Sequence, residues 1–492
     1  MSAQPDAVAG AVLRALGAGT LYGGVTLLRL TSGVLLLPLL THALPVRAYA
    51  VVALVGPLGW ILQSVASLGL NDGLTRSTAD LPRGSVVSGA AALRATGVVL
   101  AVGGVVAVTG PLWSRLVLGL PWGAAPLWGV VTGTLMSVVA VVSAVLRSEE
   151  RVVATTVVTL LAAVGAPFVG LAAVLAVDRT GAAYLAGNAL ALAALVAGTL
   201  GWLAGGRPGM LGAGAFRAAG PVVRAGLRTG LPTVPHLVAL LCLDAGLRRV
   251  VAATHGLDAV AAFAVALVLG SIGWTILKAF SAAWGPVLYR SERSHAADLL
   301  RRVTRALLLL SLAVQVAVSF GAPVLAAVFL PASYGGDAAL VIVWVAASAV
   351  PATVVSVQIV GLFDASRTRS LAVVTPVAVV LGVALAVPLS AAAGPAGAGA
   401  CYPLTFGLVA VALTVVTHRL GLPSPAGRPV AAAAAVSAAV ALAASAAEHA
   451  GVAVPVRLAA GILALALAVA VLGRGAVSRR SDAAAVPAEV AP

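Results

Sequence analysis

Apolar residues follow one another along most of this chain in unbroken runs, interrupted by arginines or by Pro/Gly clusters rather than by an alternating polar face. A helix needs about 20 predominantly apolar residues to cross the hydrocarbon of a bilayer. By that measure the runs predict fourteen spanning helices, centred near residues 30, 60, 98, 136, 165, 193, 238, 270, 318, 350, 381, 408, 438 and 465. A lipid-facing β-barrel would show alternating polarity and aromatic girdles, whereas here the runs are Ala, Val, Leu and Gly and aromatics make up only 4% of the chain. The expected class is an all-α polytopic membrane protein. The Ala-rich stretch 430–447 has the weakest spanning pattern, so a count of twelve stays open.

Composition excludes more than it adds. With 61% hydrophobic and 9% charged residues and a mean hydropathy of +1.10, the 492 residues leave no large water-soluble domain, which excludes soluble enzymes and DNA-binding folds. The 54 glycines and 27 prolines are compatible with membrane helices, where packed neighbours re-satisfy freed backbone groups. Cys242 and Cys401 fall within apolar runs and predict no disulfide framework. The opening segment, with Asp6 and no basic residue before Arg14, predicts no cleaved signal peptide.

The net charge of +15 would suggest nucleic acid in a soluble chain. In a polytopic one, Lys and Arg are expected first in cytoplasmic loops. Starting from a cytoplasmic N-terminus, the predicted inner loops and termini hold twenty-one basic residues and the outer loops four, namely Arg47, Arg115, Arg179 and Arg457. The asymmetry predicts a multi-pass protein of the cell (plasma) membrane with both termini cytoplasmic, and it makes a nucleic-acid partner unnecessary.

The chain also repeats. A slide of 214 residues brings Leu13-Arg14 onto Leu227-Arg228, Gly59-Trp60 onto Gly273-Trp274 and Arg76-Ser77 onto Arg290-Ser291. Six predicted spans separate the copies, so both have one orientation, the pattern of a parallel repeat of two six-helix lobes. The expected organisation is a first lobe over 1–216, a second over 217–420, a two-helix appendix over 421–476 and a cytoplasmic tail over 477–492.

Neither a nucleophile nor a metal constellation emerges: the six histidines are scattered, and H-E-x-x-H, C-x-x-C and P-loop patterns are absent. No catalytic residues, metal or cofactors are expected. The chemistry lies instead in charges within the spans, since an arginine at the bilayer centre costs about 2.5 to 3.5 kcal/mol on insertion scales. Arg29 sits near the middle of the first span, either facing a cavity or held by backbone carbonyls. Arg94, about 12 Å into the third span at 1.5 Å per residue, faces a cavity or reaches the inner headgroups. Lys278, the only lysine, is either a snorkelling anchor or a ligand. Asp244 is the one carboxylate well inside a span, with Arg248 four residues later on the same helical face; the two either neutralise each other or form a cation or proton site whose carboxylate changes partners. Arg249, elsewhere on the helix near its outer end, either adds positive potential or marks the interface. Five basic residues against one acidic residue form a cationic cavity that suits an anionic ligand.

These residues carry a resemblance. Arg29 together with LLLPLLTHALPVRAYAVVALVGPLGWILQSVASLGLNDGLTRS (35–77) resembles the first two spans of the polysaccharide-biosynthesis oligosaccharide flippases, within the multidrug/oligosaccharidyl-lipid/polysaccharide exporter superfamily. LRRVVAATHGLDAVAAFAVALVLGSIGWTILKAFSAAWGPVLYRS (247–291) is similar to the opening of their second lobe. The family often has Asp-Arg at the outer end of the seventh span, where this chain has Arg248-Arg249. The resemblance implies alternating access between the lobes, carrying a polyprenyl-pyrophosphate-linked oligosaccharide to the outer leaflet for cell-surface polysaccharide. The implied anion contacts are Arg29 first, then Arg94, Arg248, Arg249 and Lys278, with Asp244 as the ion-coupling candidate. The implied partners are the lipid-linked oligosaccharide, membrane lipids, a polysaccharide polymerase and glycosyltransferases. Two alternatives remain: a drug/cation antiporter of the same superfamily, and a non-transporting subunit of a polysaccharide assembly complex.

The arginine asymmetry makes a direct prediction. Cysteines introduced at 205–225 and 290–302 will react only with reagents supplied from the cytoplasmic side, and those at 111–123 and 331–338 with reagents from outside. Labelling of 290–302 from outside overturns the orientation.

Overall fold

The computed structural model describes residues 33–231, 234–277, 293–334, 337–364, 368–422, 424–425 and 427–466, and among them there is no strand. The helices are α1 (Gly33–Ala43), α2 (Val46–Ala66), α3 (Leu70–Ser77), α4 (Val86–Val108), α5 (Gly110–Val117), α6 (Ala124–Ser148), α7 (Val152–Ala176), α8 (Gly181–Gly205) and α9 (Ala213–Gly230). They continue as α10 (Val234–His255), α11 (Leu257–Gly270), α12 (Arg293–Phe320), α13 (Ala322–Phe329), α14 (Ala338–Ala346), α15 (Ala349–Asp364), α16 (Leu371–Arg419), α17 (Arg428–His449) and α18 (Val454–Ala466). Each predicted span centre from 60 onward falls in one of these helices, and the centre near 30 lies outside the described residues. Nine helical segments among the described residues are long and apolar enough to cross a membrane.

Local chemistry explains the irregularities. α16 has 49 residues, about twice the length a bilayer requires, and it leaves helical values at Ala393 and at Gly394, whose φ is +64°. Only glycine reaches that region without steric cost, so α16 is two helical stretches, one for each of the centres at 381 and 408. In α7 a π turn covers Leu161–Gly165, directly before Pro167, whose missing N–H breaks the regular ladder.

Packing divides the chain into two compact units. The first comprises Met1–Val265, Phe329–Gly336 and Leu371–Pro395. α6 lies at its centre, against α2, α4 and α8. Lipid tails are as apolar as leucine, so membrane helices associate through close van der Waals fit, which favours small residues. That is the pattern seen: a Cβ on Gly133 would come within 2.9 Å of Gly59, and one on Gly187 within 2.7 Å of Ala173. α3 and α9 meet backbone on backbone, with Gly69 against Gly230 and Gly73 against Gly226. Around these contacts Ala66, Leu70, Leu74, Val138, Leu146 and Leu192 are fully buried.

The second unit comprises Ala266–Val328, Asp337–Ser370 and Ala396–Pro492. α12 and α17 pack on α14 and α15. Here buried amides join helices: Gln315 Nε2 donates to the Ser437 carbonyl at 2.9 Å and Gln358 Nε2 to Thr414 Oγ1 at 2.6 Å. A Cβ on Gly270 would lie 2.6 Å from Val345, and one on Gly273 2.9 Å from Ala349. Gly59 meets Gly133 in the first unit and Gly273, 214 residues on, meets Ala349 in the second, whereas Gly56 has nothing within 4 Å of an added Cβ and Gly270, at the same offset from it, lies against Val345. Large apolar side chains such as Val108, Leu112, Val177 and Leu463 point outward and are exposed, as a lipid-facing surface requires.

Close approach also predicts which glycines tolerate change. Gly73→Val would drive a side chain into the Gly226 backbone and should cost about 1–3 kcal/mol as overpacking, while Gly104, with nothing within 4 Å of an added Cβ, should gain up to about 1 kcal/mol as Ala. Thermal unfolding of the purified protein in detergent reads both shifts.

Candidate functional site

The candidate site begins with a proline. Pro57 lies inside α2 and has no N–H to return to residue 53, so the Ala53 carbonyl loses its helical partner. Arg248 of α10 replaces it: Nη1 donates to the Ala53 carbonyl at 2.6 Å. Its Nη2 lies 3.0 Å from Oδ2 and 3.2 Å from Oδ1 of Asp244, one turn earlier in the same helix. Both side chains are largely enclosed, Arg248 at 11% exposure and Asp244 at 25%. The guanidinium is thus fixed between a carboxylate and a helix carbonyl, and its Nε is buried with no partner among the described residues.

Arg249, one residue on, points elsewhere. Its guanidinium lies against Gly119, where a Cβ would be 3.1 Å from Nε, and this Nε too is buried without a partner among the described residues. Gly119 has a φ of +71°, and its missing side chain makes the space that Arg249 occupies. Arg94 is remote from this pair in its contacts. It donates to the Phe216 carbonyl at 3.2 Å and lies over the Phe216 ring at 5.3 Å, which gives it the task of holding α9. Asp244 and Arg248 are therefore brought together on α10, Arg249 follows them in the helix with its guanidinium at Gly119 instead, and Arg94 is not with them. Arg29 and Lys278 lie outside the described residues.

α10 is further tied to the Leu371–Pro395 part of α16. His236 Nδ1 and Thr375 Oγ1 are 2.8 Å apart, the His255 ring meets the Ser390 carbonyl at 2.9 Å, and Gly246 lets Val383 approach between them. Among the described residues no three His, Cys, Asp or Glu side chains come together as a metal site.

A second charged centre was not singled out by sequence. Glu149 Oε2 accepts from Arg207 Nη2 at 2.6 Å and lies 3.2 Å from Arg151 Nε, while Ser88 Oγ donates to its Oε1 at 2.6 Å. Burial pulls the Arg207 guanidinium below its ordinary pKa and the Glu149 carboxylate opposes that shift. The geometry comes from a C-terminal helix motif: Arg151 N–H reaches Leu146 O and Glu150 N–H reaches Arg147 O, with Glu150 at a φ of +56°, which turns Glu149 back onto the bundle. In sequence Arg151 and Arg207 read only as inner-loop charges. The one available signal was Glu149-Glu150, an acidic pair among loops otherwise dominated by arginine.

No family model matches the chain, and no curated protein sequence does. Solved structures do share its fold. An inward-facing multidrug resistance MATE family transporter of the MOP superfamily matches with a TM-score of 0.65 at 16% identity, over 81% of this chain and 98% of its own. A MOP superfamily transporter from Pyrococcus furiosus Vc1 (DSM3638), described as having a binding pocket of reverse polarity that suggests a different function, matches at 0.57 and 16% identity, over 82% and 95%. An outward-facing multidrug resistance MATE family transporter matches at 0.54 and 15% identity, over 82% and 95%. This chain has the all-helical fold of MOP superfamily transporters, a multi-pass membrane fold, and these structural neighbours are transporters rather than enzymes.

The Asp244–Arg248 geometry predicts non-additivity. Removing Arg248 alone takes away the donor to the Ala53 carbonyl and the ion-pair partner 3.0 Å from Asp244, and breaking a buried pair costs about 3–5 kcal/mol where enclosure is complete. Asp244→Asn combined with Arg248→Met should be more stable than the sum of the single losses by about 1 kcal/mol or more, read by thermal unfolding. Simple additivity would show that the two charges do not depend on each other.

Proposed function

We propose that this protein is an alternating-access flippase that carries a polyprenyl-pyrophosphate-linked oligosaccharide from the inner to the outer leaflet of the plasma membrane for cell-surface polysaccharide. The proposal includes fourteen spans, two parallel six-helix lobes with a two-helix appendix, and cytoplasmic termini. The observation that carries it is the Arg248-Arg249 step of α10: two enclosed guanidiniums, each with an unpartnered Nε among the described residues, on a helix whose one intramembrane carboxylate is Asp244. A pyrophosphate is the kind of anion such donors suit, because a guanidinium offers paired N–H groups in a plane. Arg29 is the first-choice contact, with Arg248 and Arg249 behind it. Lys278 is a further candidate, and Arg94 a weaker one because Phe216 engages its guanidinium. Solved structures of this fold in inward- and outward-facing conformations support alternating access as the mode of transport. The reverse-polarity pocket described for the Pyrococcus protein supports the idea that cargo charge differs within the fold. Glycosyltransferases and a polymerase are the partners such a step would serve.

A drug/cation antiporter is the second reading. Asp244 favours it, as do the multidrug resistance transporters among the structural neighbours. Under that reading Asp244 exchanges Arg248 for a cation or proton during the cycle.

A leaflet-resolved assay in proteoliposomes with a defined lipid-linked glycan separates the two. The expected outcome is glycan translocation by the wild type, none by Arg29→Gln despite normal insertion, and a fraction by Arg29→Lys, which keeps the charge and loses the planar donors. Wild-type flipping by a well-expressed Arg29→Gln variant removes Arg29 from the site. Proton-driven dye export with no glycan movement selects the antiporter.

A further inference from the structure

α7 and α8 touch closely where small residues meet, Gly170 against Tyr184 and Gly187 against Ala173, and part toward Val152 and Gly205. The parting starts at the π turn Leu161–Gly165, where the Ala166 N–H reaches back to Leu161 O and Pro167 offers no donor. A π turn inserts an extra residue into the helical ladder and re-aims what precedes it. The outcome is an open trough of about 900 Å³ between the two helices, lined by Val157, Leu161, Leu195, Gly198 and Trp202, with Arg151 at its rim. Its floor runs from residue 152 to residue 161, about 14 Å of helix at 1.5 Å per residue.

The rim is not neutral. Glu149 serves two guanidiniums, and the buried Arg207 holds it at 2.6 Å while Arg151 reaches it only through Nε at 3.2 Å. Glu150, the other rim carboxylate, is paired with Arg83. Arg151 is 39% exposed, lies over the Trp202 ring at 5.4 Å, and its Nη donors have no hydrogen-bond partner among the described residues. The trough therefore joins an apolar floor to a guanidinium that lies over the Trp202 ring, is only partly neutralised, and is open at its donor end. Gly198 keeps the floor clear, since an added Cβ would meet nothing within 4 Å.

We propose that this trough binds one anionic glycerophospholipid, its phosphate on Arg151 and an acyl chain along α7 and α8 from Trp202 toward Leu161. The occupant follows from the two halves of the site. An apolar floor without the guanidinium would take any acyl chain, and a guanidinium without the floor would take any phosphate. This site is separate from α10 and requires no transport cargo.

Trp202 is the reporter. The full-length protein is reconstituted in phosphatidylcholine vesicles with tail-brominated phosphatidylglycerol or tail-brominated phosphatidylcholine at equal mole fraction. The quenching due to Trp202 is the wild-type signal less that of Trp202→Phe. Phosphatidylglycerol should quench it about fivefold more effectively, the preference that one arginine near an anionic headgroup supplies. Gly198→Phe should fill the floor, weaken quenching by both lipids and remove the headgroup preference with the binding. Arg151→Gln should abolish the headgroup preference and leave equal quenching by the two. Equal quenching in the wild type, or a preference that survives Gly198→Phe at full strength, overturns the proposal. A preference surviving Arg151→Gln removes the phosphate from Arg151 and overturns it equally. Should Arg151→Gln fail to fold for want of its Glu149 contact, Gly198→Phe, made where space is open, decides alone.

Discussion

A peptide group in hydrocarbon has no water to turn to, so each one must find its partner within the protein. The contact between α2 and α10 depends on this requirement. Pro57 cannot donate to Ala53, and Arg248 cannot remain unpaired within a span; the 2.6 Å bond from Arg248 Nη1 to the Ala53 carbonyl answers both deficits at once. Asp244 then balances the charge from one turn away. Hydroxyl groups follow the same rule on a smaller scale, Thr134 bonding the Val130 carbonyl and Thr405 that of Cys401, each four residues back. Ser137 does more, since its hydroxyl reaches Gly133 O in its own helix at 2.8 Å and Leu62 O of α2 at 3.2 Å.

Satisfied helices still need a reason to stay together, and lipid gives little. Small residues provide it here by admitting backbone to backbone, as at Gly73 and Gly226. At the inner loops expected from the arginine pattern a different means operates. Glu149 gathers Arg207, Arg151 and Ser88, linking the end of α6 to the start of α4, the start of α7 and the segment after α8. The cost of burying Arg207 is offset because three groups converge on one carboxylate, so that neither oxygen of Glu149 is left bare.

The helices were legible because the signal for them is one-dimensional: a run of apolar residues long enough for a bilayer needs no knowledge of its neighbours. The 214-residue repeat was legible from sequence identity alone; of its glycine pairs, Gly59 and Gly273 both meet a small neighbour, whereas Gly56 stands in open space and Gly270 presses on Val345. The i,i+4 pairing of Asp244 with Arg248 was also readable, since helical geometry alone places them on one face. What escaped was pairing between distant segments. Nothing in the local sequence says that Pro57 will release a carbonyl for residue 248, that Arg94 will hold Phe216, or that Glu149, two residues from a loop arginine, will turn inward to meet Arg207. Each is set by tertiary approach, and a charge counted by loop membership conceals its burial.

The composition of α10 bears on how the protein is made. It is absent from the helices apolar enough to cross a membrane by length and composition, and a lone charge at the centre of a span costs about 2.5–3.5 kcal/mol on insertion scales. Its own Asp244–Arg248 pair removes part of that penalty, and the rest falls when Arg248 meets Ala53. α2 emerges from the ribosome well before α10, so the receiving carbonyl is already present when the charged helix arrives. As one of the proposed spans, α10 would integrate as a tertiary event, dependent on an earlier helix whose proline leaves one carbonyl unclaimed.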